Sequence, residues 1–384
     1  LSEVADGLCM VESFSHTVAW DSGDGLVCFD ASHVNTGAAI VSELQKWRPG
    51  RINTLVYTHG HIDHVGGSGA FAAHNTGNGH APLRVVGHEN VQRRFDRYRS
   101  TEAWNILINA RQFGGVRDDL GMTNDLRPAG GGKRLPFFLP PDTADVSDVV
   151  GDFSSMTFGG ETIEFHHGKG ETDDHLWSWF PDKKWVATGD FVIWNFPNAG
   201  NPQKVQRWPI EWAQTLRRIA AKEPELLLPA HGLPIAGKER IARVLNEIAT
   251  ALENLVRDVV AMMNNGATLD EIIHTVRVPA DTLALPYLRP LYDEPEFVVR
   301  GVWRQFGGWW DGAPSRLKPA PDAQVGAEIA RLSGGADVLA RRAMELAESG
   351  ELRLACHLAD FAGWAEPDNP EVHEARAEIG RAHV

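Results

Sequence analysis

The sequence predicts an α/β protein with a first domain at residues 1–237 and an all-helical second domain at residues 238–384. Two observations support this prediction. Short apolar runs alternate with Gly, Pro and Asp turn signals through the first part, which is typical of strands joined by tight turns and occasional helices. In the second part, apolar side chains recur three and four positions apart, which is typical of helices that pack on one face.

The bulk composition limits the classes of protein to which the chain can belong. With 384 residues in all, and about 100 to 200 residues in an ordinary domain, two or three domains are expected. The net charge of −14 is spread along the chain, so no nucleic-acid partner is expected. Cys9, Cys28 and Cys356 lie far apart and are odd in number, which argues against a disulfide framework and against a cysteine metal site.

The sequence also bears on where the protein acts. No apolar run is long enough to span a bilayer, and no basic start is followed by an apolar stretch. We therefore expect a cytoplasmic protein without a membrane span. Because the chain begins at Leu1 rather than at methionine, removal of an N-terminal export signal is the alternative.

The N-terminal region predicts an antiparallel opening of the first sheet. Apolar runs at 7–12, 16–20 and 25–30 are separated by Gly and Asp, which accept the positive φ of tight turns. Apolar residues at helical spacing then predict a helix over 36–48, and a strand is expected at 53–58.

A dense cluster of histidines follows the strand expected at 53–58. His59, His61, Asp63 and His64 stand within six positions and are followed by two glycines. Neutral imidazole and carboxylate are preferred ligands of zinc and of neighbouring transition metals, and such a cluster is costly without a metal. The pattern therefore predicts a metal site at the carboxyl end of a strand, where α/β sheets usually carry their sites.

A basic segment at residues 89–134 interrupts the otherwise acidic chain. It interleaves aromatic residues with arginines, among them Arg93, Arg94, Arg97, Arg99 and Arg111. One hypothesis is a solvated helical excursion that covers the sheet. The other is a lid that supplies cations and aromatic walls to an anionic, partly apolar substrate. The sequence leaves both open.

A second sheet is predicted from the pattern that follows. Its strands are expected at 156–158, 162–165, 177–180, 184–188 and 225–229. Three further candidate ligands, His175, Asp190 and His231, stand in loops at the ends of these strands. Their order along the chain, after the first histidine cluster, predicts that they complete the metal site.

Helical patterns fill the second domain. Apolar residues run at helical spacing from 241 to 259, a capping box joins Thr268 to Glu271, and three or four helices are expected over 323–382. The tryptophan-rich segment at 296–319 predicts a partner surface, because aromatic anchors are enriched at interfaces.

The His-x-His-x-Asp-His cluster resembles the signature of the metallo-β-lactamase superfamily. The second half is similar to the alkyl sulfatase family, through Arg300-Gly-Val-Trp, Gly-Trp-Trp-Asp-Gly-Ala-Pro at 308–314, Gly-Gly-Ala-Asp at 334–337 and Ala-Glu-Pro-Asp-Asn at 365–369. The resemblance implies an αββα sandwich followed by a helical dimerisation domain. It therefore also implies a homodimer that hydrolyses alkyl sulfate esters.

The same resemblance implies two divalent metal ions, expected to be zinc, with manganese and iron as alternatives. The implied ligands are His59, His61 and His175 for one ion, Asp63, His64 and His231 for the other, and Asp190 as a bridge. Asp63 and Asp190 are also the candidate catalytic residues. Residues near enough in sequence to orient the imidazoles are Glu171, Asp173, Asp174, His166 and His167.

The chain departs from the alkyl sulfatase pattern in two places. Family members that cleave alkyl sulfates usually carry glutamates at two metal positions, where this chain is expected to use His175 and Asp190. They also carry histidine and arginine in a segment that corresponds here to 191–204, which contains neither residue. The candidate substrate-binding residues are instead Asn198, Asn201, Lys204 and Arg207.

The function expected from these features is that of a dinuclear metal-dependent hydrolase. Its substrates are expected to be alkyl sulfate esters, or similar anionic esters with an apolar tail, attacked by a metal-bound water or hydroxide. One alternative is a hydrolase of carboxylic esters, thioesters, lactones or phosphate esters, whose metals polarise the substrate. A further alternative is a metal-binding dimeric interaction module without catalysis.

Overall fold

The computed structural model describes residues 1–112 and 137–383. These residues form two compact units, one at Leu1–Trp309 and one from Trp310 onward. Among the described residues, no helix combines the length and the apolar character that a membrane crossing requires. The three cysteines are free thiols, as the sequence predicts.

The first half of the first unit builds a seven-stranded sheet, with its strands in the order β1 to β7. Its elements are β1 Ser2–Ala5, β2 Leu8–Val11, β3 Thr17–Asp21, β4 Leu26–Phe29, α1 Gly37–Trp47, β5 Ile52–Val56, α2 Ile62–Val65, α3 Ser68–Gly77, β6 Arg84–His88, α4 Glu89–Ser100, α5 Glu102–Gln112 and β7 Asp148–Val150. Strands β1 to β4 pair antiparallel, as predicted, and β4 to β7 pair parallel.

A second sheet of six strands follows, in the spatial order β13-β12-β11-β10-β9-β8. Its elements are β8 Phe153–Phe158, β9 Glu161–His167, β10 Leu176–Phe180, β11 Trp185–Gly189, α6 Pro209–Ala221, β12 Leu226–Pro229 and β13 Ile235–Ala236. The pairing is antiparallel except between β11 and β12, which run parallel. The carboxyl ends of β11 and β12 therefore lie at one edge, as do those of β4 and β5.

The two sheets pack face to face and carry helices on their outer faces. Leu8 and Met10 of β2 join a core formed with the second sheet, while Cys9 and Val11 point to a separate core beneath the helices. This alternation follows from the period of two in a strand. A third core joins the second sheet to the helices on its own outer face. The resulting order of helix, sheet, sheet and helix confirms the predicted αββα sandwich.

The remaining elements are helical, which confirms the second part of the predicted fold. They are α7 Lys238–Asn264, α8 Leu269–Thr275, α9 Ala280–Leu283, α10 Pro295–Gly307, α11 Pro314–Leu317, α12 Asp322–Ser333, α13 Ala336–Glu348, α14 Leu352–Ala365 and α15 Pro370–His383. The predicted capping box is formed, since Thr268 accepts from Glu271 N and the Glu271 carboxylate accepts from Thr268 N.

The boundary between the compact units differs from the predicted domain boundary after residue 237. Helix α7 buries Leu245 and Leu252 in the same core as Trp212 and Leu216 of α6, so α7 belongs with the sandwich. The sequence shows the apolar face of α7 but not the element on which that face packs. In the second unit, α12 to α15 pack around buried alanines and leucines.

The described part of the basic segment forms α4 and α5. Val91, Phe95 and Tyr98 are buried in the core of the first sheet, so this part covers the sheet as the first hypothesis states. The rest of the segment, from 113 to 134, lies outside the described residues.

Gly200 supplies a test of this architecture. A Cβ atom on Gly200 would lie 2.1 Å from Val298 N and 2.2 Å from Phe297 C, at the start of α10. Because backbone cannot yield there, we expect Gly200→Ala to lower the free energy of unfolding by about 1–3 kcal/mol in a denaturant titration.

The matched control is Gly77→Ala, in the last turn of α3. No atom lies within 4 Å of the position that a Cβ would take on Gly77. Alanine there is therefore expected to leave stability unchanged or to raise it by up to about 1 kcal/mol. Equal stability of the two variants would contradict the close packing of Gly200 against α10.

Candidate metal centre

The predicted metal ligands converge at the carboxyl ends of parallel strands. His59, His61, Asp63 and His64 follow β5, and Asp190 follows β11 directly. His231 follows β12, which neighbours β11 in the second sheet. The site therefore lies where the carboxyl end of β5 in the first sheet is close to the carboxyl ends of β11 and β12 in the second sheet.

One group of donor atoms consists of His59, His61, Glu171 and Asp190, whose ligand atoms all lie within 4.8 Å of one another. His59 Nε2 is 2.9 Å from His61 Nδ1 and 3.7 Å from Asp190 Oδ2. His61 Nδ1 is 3.8 Å from Glu171 Oε1. Two imidazoles one residue apart thus turn their ring nitrogens toward one point.

The second group consists of Asp63, His64 and His231. Asp63 Oδ2 lies 3.5 Å from His64 Nε2 and 3.5 Å from His231 Nε2. Asp190 reaches this group as well, with its Oδ2 3.4 Å from His64 Nε2 and its Oδ1 3.5 Å from His231 Nε2. Asp190 is therefore the side chain that contacts both groups.

The donor atoms fit divalent metal ions. His64 Nε2 and Asp190 Oδ1 are buried and have no hydrogen-bond partner in the described part of the chain, although buried polar atoms are normally paired. Imidazole nitrogen and carboxylate oxygen are ligands suited to zinc and its neighbours. Metal coordination would satisfy both orphaned atoms.

Neighbouring groups hold two of the imidazoles in orientations suited to ligation. His64 Nδ1 lies 2.8 Å from Asp30 Oδ2, and Asp30 also accepts from the backbone and hydroxyl of Thr58. His231 Nδ1 donates to Phe14 O at 2.6 Å. Because each Nδ1 is occupied by an acceptor, each Nε2 is left for a metal ion.

Burial and charge shift the ionisation of the site in opposite directions. Burial lowers the pKa of His59 well below its usual value. Burial also tends to lower the pKa of His64, but the carboxylates of Asp190, Asp63 and Asp30 raise it well above its usual value. Burial raises the pKa of Glu171 to about 7, against the opposing charge of Arg207. These directions follow from the burial of the donor groups and from the charges beside them.

His175 differs from the predicted ligand arrangement, because it falls outside both donor groups. Its Nε2 accepts a hydrogen bond from Asp190 N at 3.2 Å, and its ring stacks on Phe191 at 4.1 Å. The structure places Glu171, four residues earlier in the same loop, beside His61 instead. In the sequence Glu171 was a candidate only for orienting the imidazoles, and no local pattern distinguished it from His175 as a ligand.

The other residues near the site in sequence have separate partners. Asp173 and Asp174 pair with Arg94, and Asp174 Oδ2 also accepts from Gly60 N at 3.1 Å. Gly60 lies between His59 and His61, so the ion pair of Asp174 with Arg94 fixes the backbone of the loop that carries these ligands. His166 bonds Glu164, and His167 bonds the Asp173 carbonyl.

A cavity of about 790 Å³ opens above the candidate metal centre. Of the predicted substrate-binding residues, Asn198, Lys204 and Arg207 line it. Asn198 Nδ2 donates to Glu171 Oε1 at 2.5 Å, and Arg207 forms an ion pair with the same carboxylate. Asn201 does not line the cavity, and its Oδ1 accepts from Gln203 N.

Two family models match this chain. The model described as the metallo-beta-lactamase superfamily matches residues 14–231, and the model described as alkyl sulfatase dimerisation matches residues 268–383. Both resemblances inferred from the sequence are thereby confirmed. The predicted class of metal-dependent hydrolase agrees with them.

Curated relatives carry names that agree with the family models. A linear primary-alkylsulfatase from Pseudomonas sp. is 25% identical over 365 residues, which cover 93% of this chain and 68% of the relative. An alkyl/aryl-sulfatase from Saccharomyces cerevisiae is 23% identical over 341 residues, which cover 85% of this chain and 51% of the relative.

Among solved structures, the stereoselective inverting sec-alkylsulfatase Pisa1 from Pseudomonas sp. superposes with a TM-score of 0.84 at 21% identity. The superposition covers 99% of this chain and 62% of that one. It shows that this chain and that protein share a fold. The chain thus spans about half to two thirds of the length of these relatives.

The ion pair between Arg94 and Asp174, which holds Gly60, gives the first prediction for this site. Arg94→Met would leave the buried Asp174 carboxylate unpaired and free the loop between His59 and His61, so we expect metal affinity to fall about 10- to 100-fold. Competition with a chelator of known affinity measures this loss. Arg94→Lys, which keeps the charge but loses the two-pronged contact, should show a smaller loss.

Arg93→Met is the matched control for Arg94→Met. Arg93 is exposed and neighbours Arg94 in α4, and in the described part of the chain its guanidinium bonds the Asn90 side chain alone, so its loss should leave metal affinity unchanged. A folded Arg94→Met protein with the parent's metal affinity would contradict the positioning role of Arg94.

The position of His175 generates the second prediction. Glu171→Gln removes a charged donor and should reduce the metal content of the purified protein, measured by elemental analysis. His175→Gln keeps an acceptor for Asp190 N and should retain the parent's metal content. The reverse pattern, with metal lost only in His175→Gln, would restore His175 as the ligand.

Proposed function

We propose that this chain, which belongs to the metallo-β-lactamase superfamily, is a metal-dependent hydrolase of alkyl sulfate esters. The observation that carries the proposal is the pair of donor groups joined by Asp190 at the base of a cavity with cationic and aromatic walls. The alkyl sulfatase dimerisation model and the names of the relatives support the choice of substrate.

The donor groups assign roles to the ligands. His59, His61 and Glu171 would hold one divalent ion, and Asp63, His64 and His231 would hold a second, with Asp190 between them. We propose zinc for both, because the donors are nitrogen and oxygen. When bound, two such ions lower the pKa of a shared water to about 7 and polarise an oxygen of the substrate.

The chain's own residues would bind and orient the substrate. Asn198 and Arg207 fix the Glu171 carboxylate, while Arg207 Nε and Asn198 Oδ1 remain buried without partners in the described residues. Because Arg207 lines the cavity beside the donor groups, its guanidinium is the group that we propose for the sulfate. Lys204, which also lines the cavity, adds a positive charge on the same loop.

The cavity walls suit an apolar tail. Tyr98, Ile108 and Phe138 line it from the side of α4 and α5, and Ile193 lines it from the loop after β11. These side chains would exclude water from the reacting end and remove the tail from solvent.

We also propose that the helical second half forms a homodimer, as the name of its family model indicates.

One observation favours a second candidate, a hydrolase of carboxylic esters. The ion pair between Arg207 and Glu171 balances part of the positive charge beside the donor groups. A neutral ester needs less positive charge there than a sulfate ester does. Polarisation of a carbonyl oxygen would then replace recognition of a sulfate.

Sulfate release tests the choice between these candidates. We expect metal-loaded protein to release inorganic sulfate from dodecyl sulfate, measured by ion chromatography, and to do so faster than it cleaves a carboxylic ester of equal chain length. His61→Ala should abolish sulfate release, because it removes a donor from the first group. His274→Ala, at an exposed histidine on α8, should have no effect.

The outcomes separate the two candidates. Ester cleavage without sulfate release would favour the second candidate and leave the metal centre intact. Sulfate release that persists in His61→Ala would remove the assignment of this site.

A further inference from the structure

The cavity has two ends that differ in burial. At the inner end, Glu171, Asp190 and Arg207 are almost fully buried. At the outer end, Arg97 is half-buried, and Arg111 and Arg304 are exposed. We call these last three residues the outer arginines. They come from α4, α5 and α10, so three separate elements bring positive charge to one opening.

The arginines at the two ends differ in their partners. Arg94 and Arg207, at the inner end, each form ion pairs with buried carboxylates. The outer arginines form no ion pair with any described residue. A protein with a net charge of −14 has many carboxylates, yet none in the described part of the chain lies within ion-pair distance of these three guanidinium groups.

Aromatic rings hold two of the outer arginines. The guanidinium carbon of Arg97 lies 5.3 Å from the centre of the Tyr98 ring, and that of Arg111 lies 5.2 Å from the centre of the Trp104 ring. A guanidinium over a ring keeps the N–H donors at its edge free, and contact with the ring reduces the freedom that binding would otherwise cost. Both arginines are therefore prepared to bind an anion.

Lys204 lies between the two ends. Its Nζ donates to Asn109 Oδ1 of α5 at 2.7 Å, and it experiences the charges of Glu171 at the inner end and Arg97 at the outer end. Burial, together with the nearby charge of Arg207, lowers the pKa of Lys204 to about 8. Positive charge thus extends along the cavity from the donor groups to the opening.

A simple alkyl sulfate does not account for this arrangement. Its single anionic group would occupy the inner end, and its uncharged tail gains nothing from a guanidinium at the opening. A substrate with a second anion at the far end would use both ends. Its apolar middle would lie against Tyr98, Ile108 and Phe138.

We propose that the outer arginines bind a second anionic group of the substrate, so that the preferred substrates are dianionic sulfate esters with an apolar spacer. This inference rests on the proposed sulfatase function. The second anion is a carboxylate or another sulfate, since both present oxygens to a guanidinium in the same way.

Matched substrate pairs test the inference. Each pair consists of an alkyl sulfate and the ω-sulfooxy carboxylate of equal chain length, from eight to sixteen carbons, assayed below the micelle concentration. A third member with sulfate at both ends distinguishes the two kinds of second anion. We expect kcat/KM for at least one chain length to be about tenfold higher with a second anion, mainly through KM. Added salt should reduce this preference.

The variant Arg97→Met/Arg111→Met/Arg304→Met should bring the ratio of kcat/KM within each pair close to one. The matched control is Arg93→Met/Arg99→Met/Arg300→Met, which removes the same charge from exposed positions on α4 and α10 that do not line the cavity. The control should retain the preference. A preference lost equally in both variants would show a general field of charge and overturn the proposal.

Binding separates failure of this inference from failure of the proposed function. Equal sulfate release within every pair would overturn the second anion site while leaving the sulfatase function standing. If no member releases sulfate, the sulfatase function falls, and calorimetry with dodecanedioate and dodecanoate decides the rest. Tighter binding of dodecanedioate that is lost only in the outer-arginine variant would support the second anion site, and equal binding would overturn it.

Discussion

The position of Asp190 between the two donor groups is the constraint on which the rest of this site depends. One oxygen of its carboxylate lies 3.7 Å from His59 and 3.4 Å from His64, and the other lies 3.5 Å from His231. These residues come from both sheets, so the two strand edges must meet at a fixed separation. The core between the sheets sets that separation, and the hydrogen bond from Asp190 N to His175 Nε2 holds the backbone that carries the carboxylate. Packing far from the site therefore determines whether both donor groups can form.

The sequence predicts those parts of the site that depend on local spacing. The cluster from His59 to His64 is predictable because a strand end and a short spacing bring its side chains together whatever surrounds them. The choice between Glu171 and His175 has no such local basis. Both lie in the loop between β9 and β10, in which Gly170 N bonds Thr172 O, and the structure places Glu171 beside His61. A loop without periodicity leaves that choice to tertiary contacts.

The basic segment is a second region for which the sequence does not predict the role of each side chain. Helix α4 covers the sheet on one face and brings arginines to the cavity on another, whereas its action as a lid over a substrate stays a prediction. Phe95 packs into the core, Arg94 clamps the ligand loop from within, and Arg97 faces the cavity. All three residues have the same helical setting in the sequence, which does not show that Arg94 is buried in ion pairs while Arg97 is half-buried at the cavity. The sequence does not predict the extent of the first compact unit for a similar reason. The apolar periodicity of α7 shows which face is buried but not that this face packs on α6.

The distribution of charge along the cavity suggests where selectivity resides. Metal ions held by these donor groups would activate water for many classes of ester, so the donor groups themselves discriminate poorly among substrates. At the inner end, Glu171 already pairs with Arg207, so less of that positive charge is left to select a substrate. Positive charge without an acidic partner in the described residues lies toward the opening, on elements that do not carry the donor groups. Because a substrate that pairs with the outer arginines gains binding energy that other esters lack, the opening rather than the metal centre would distinguish one ester from another.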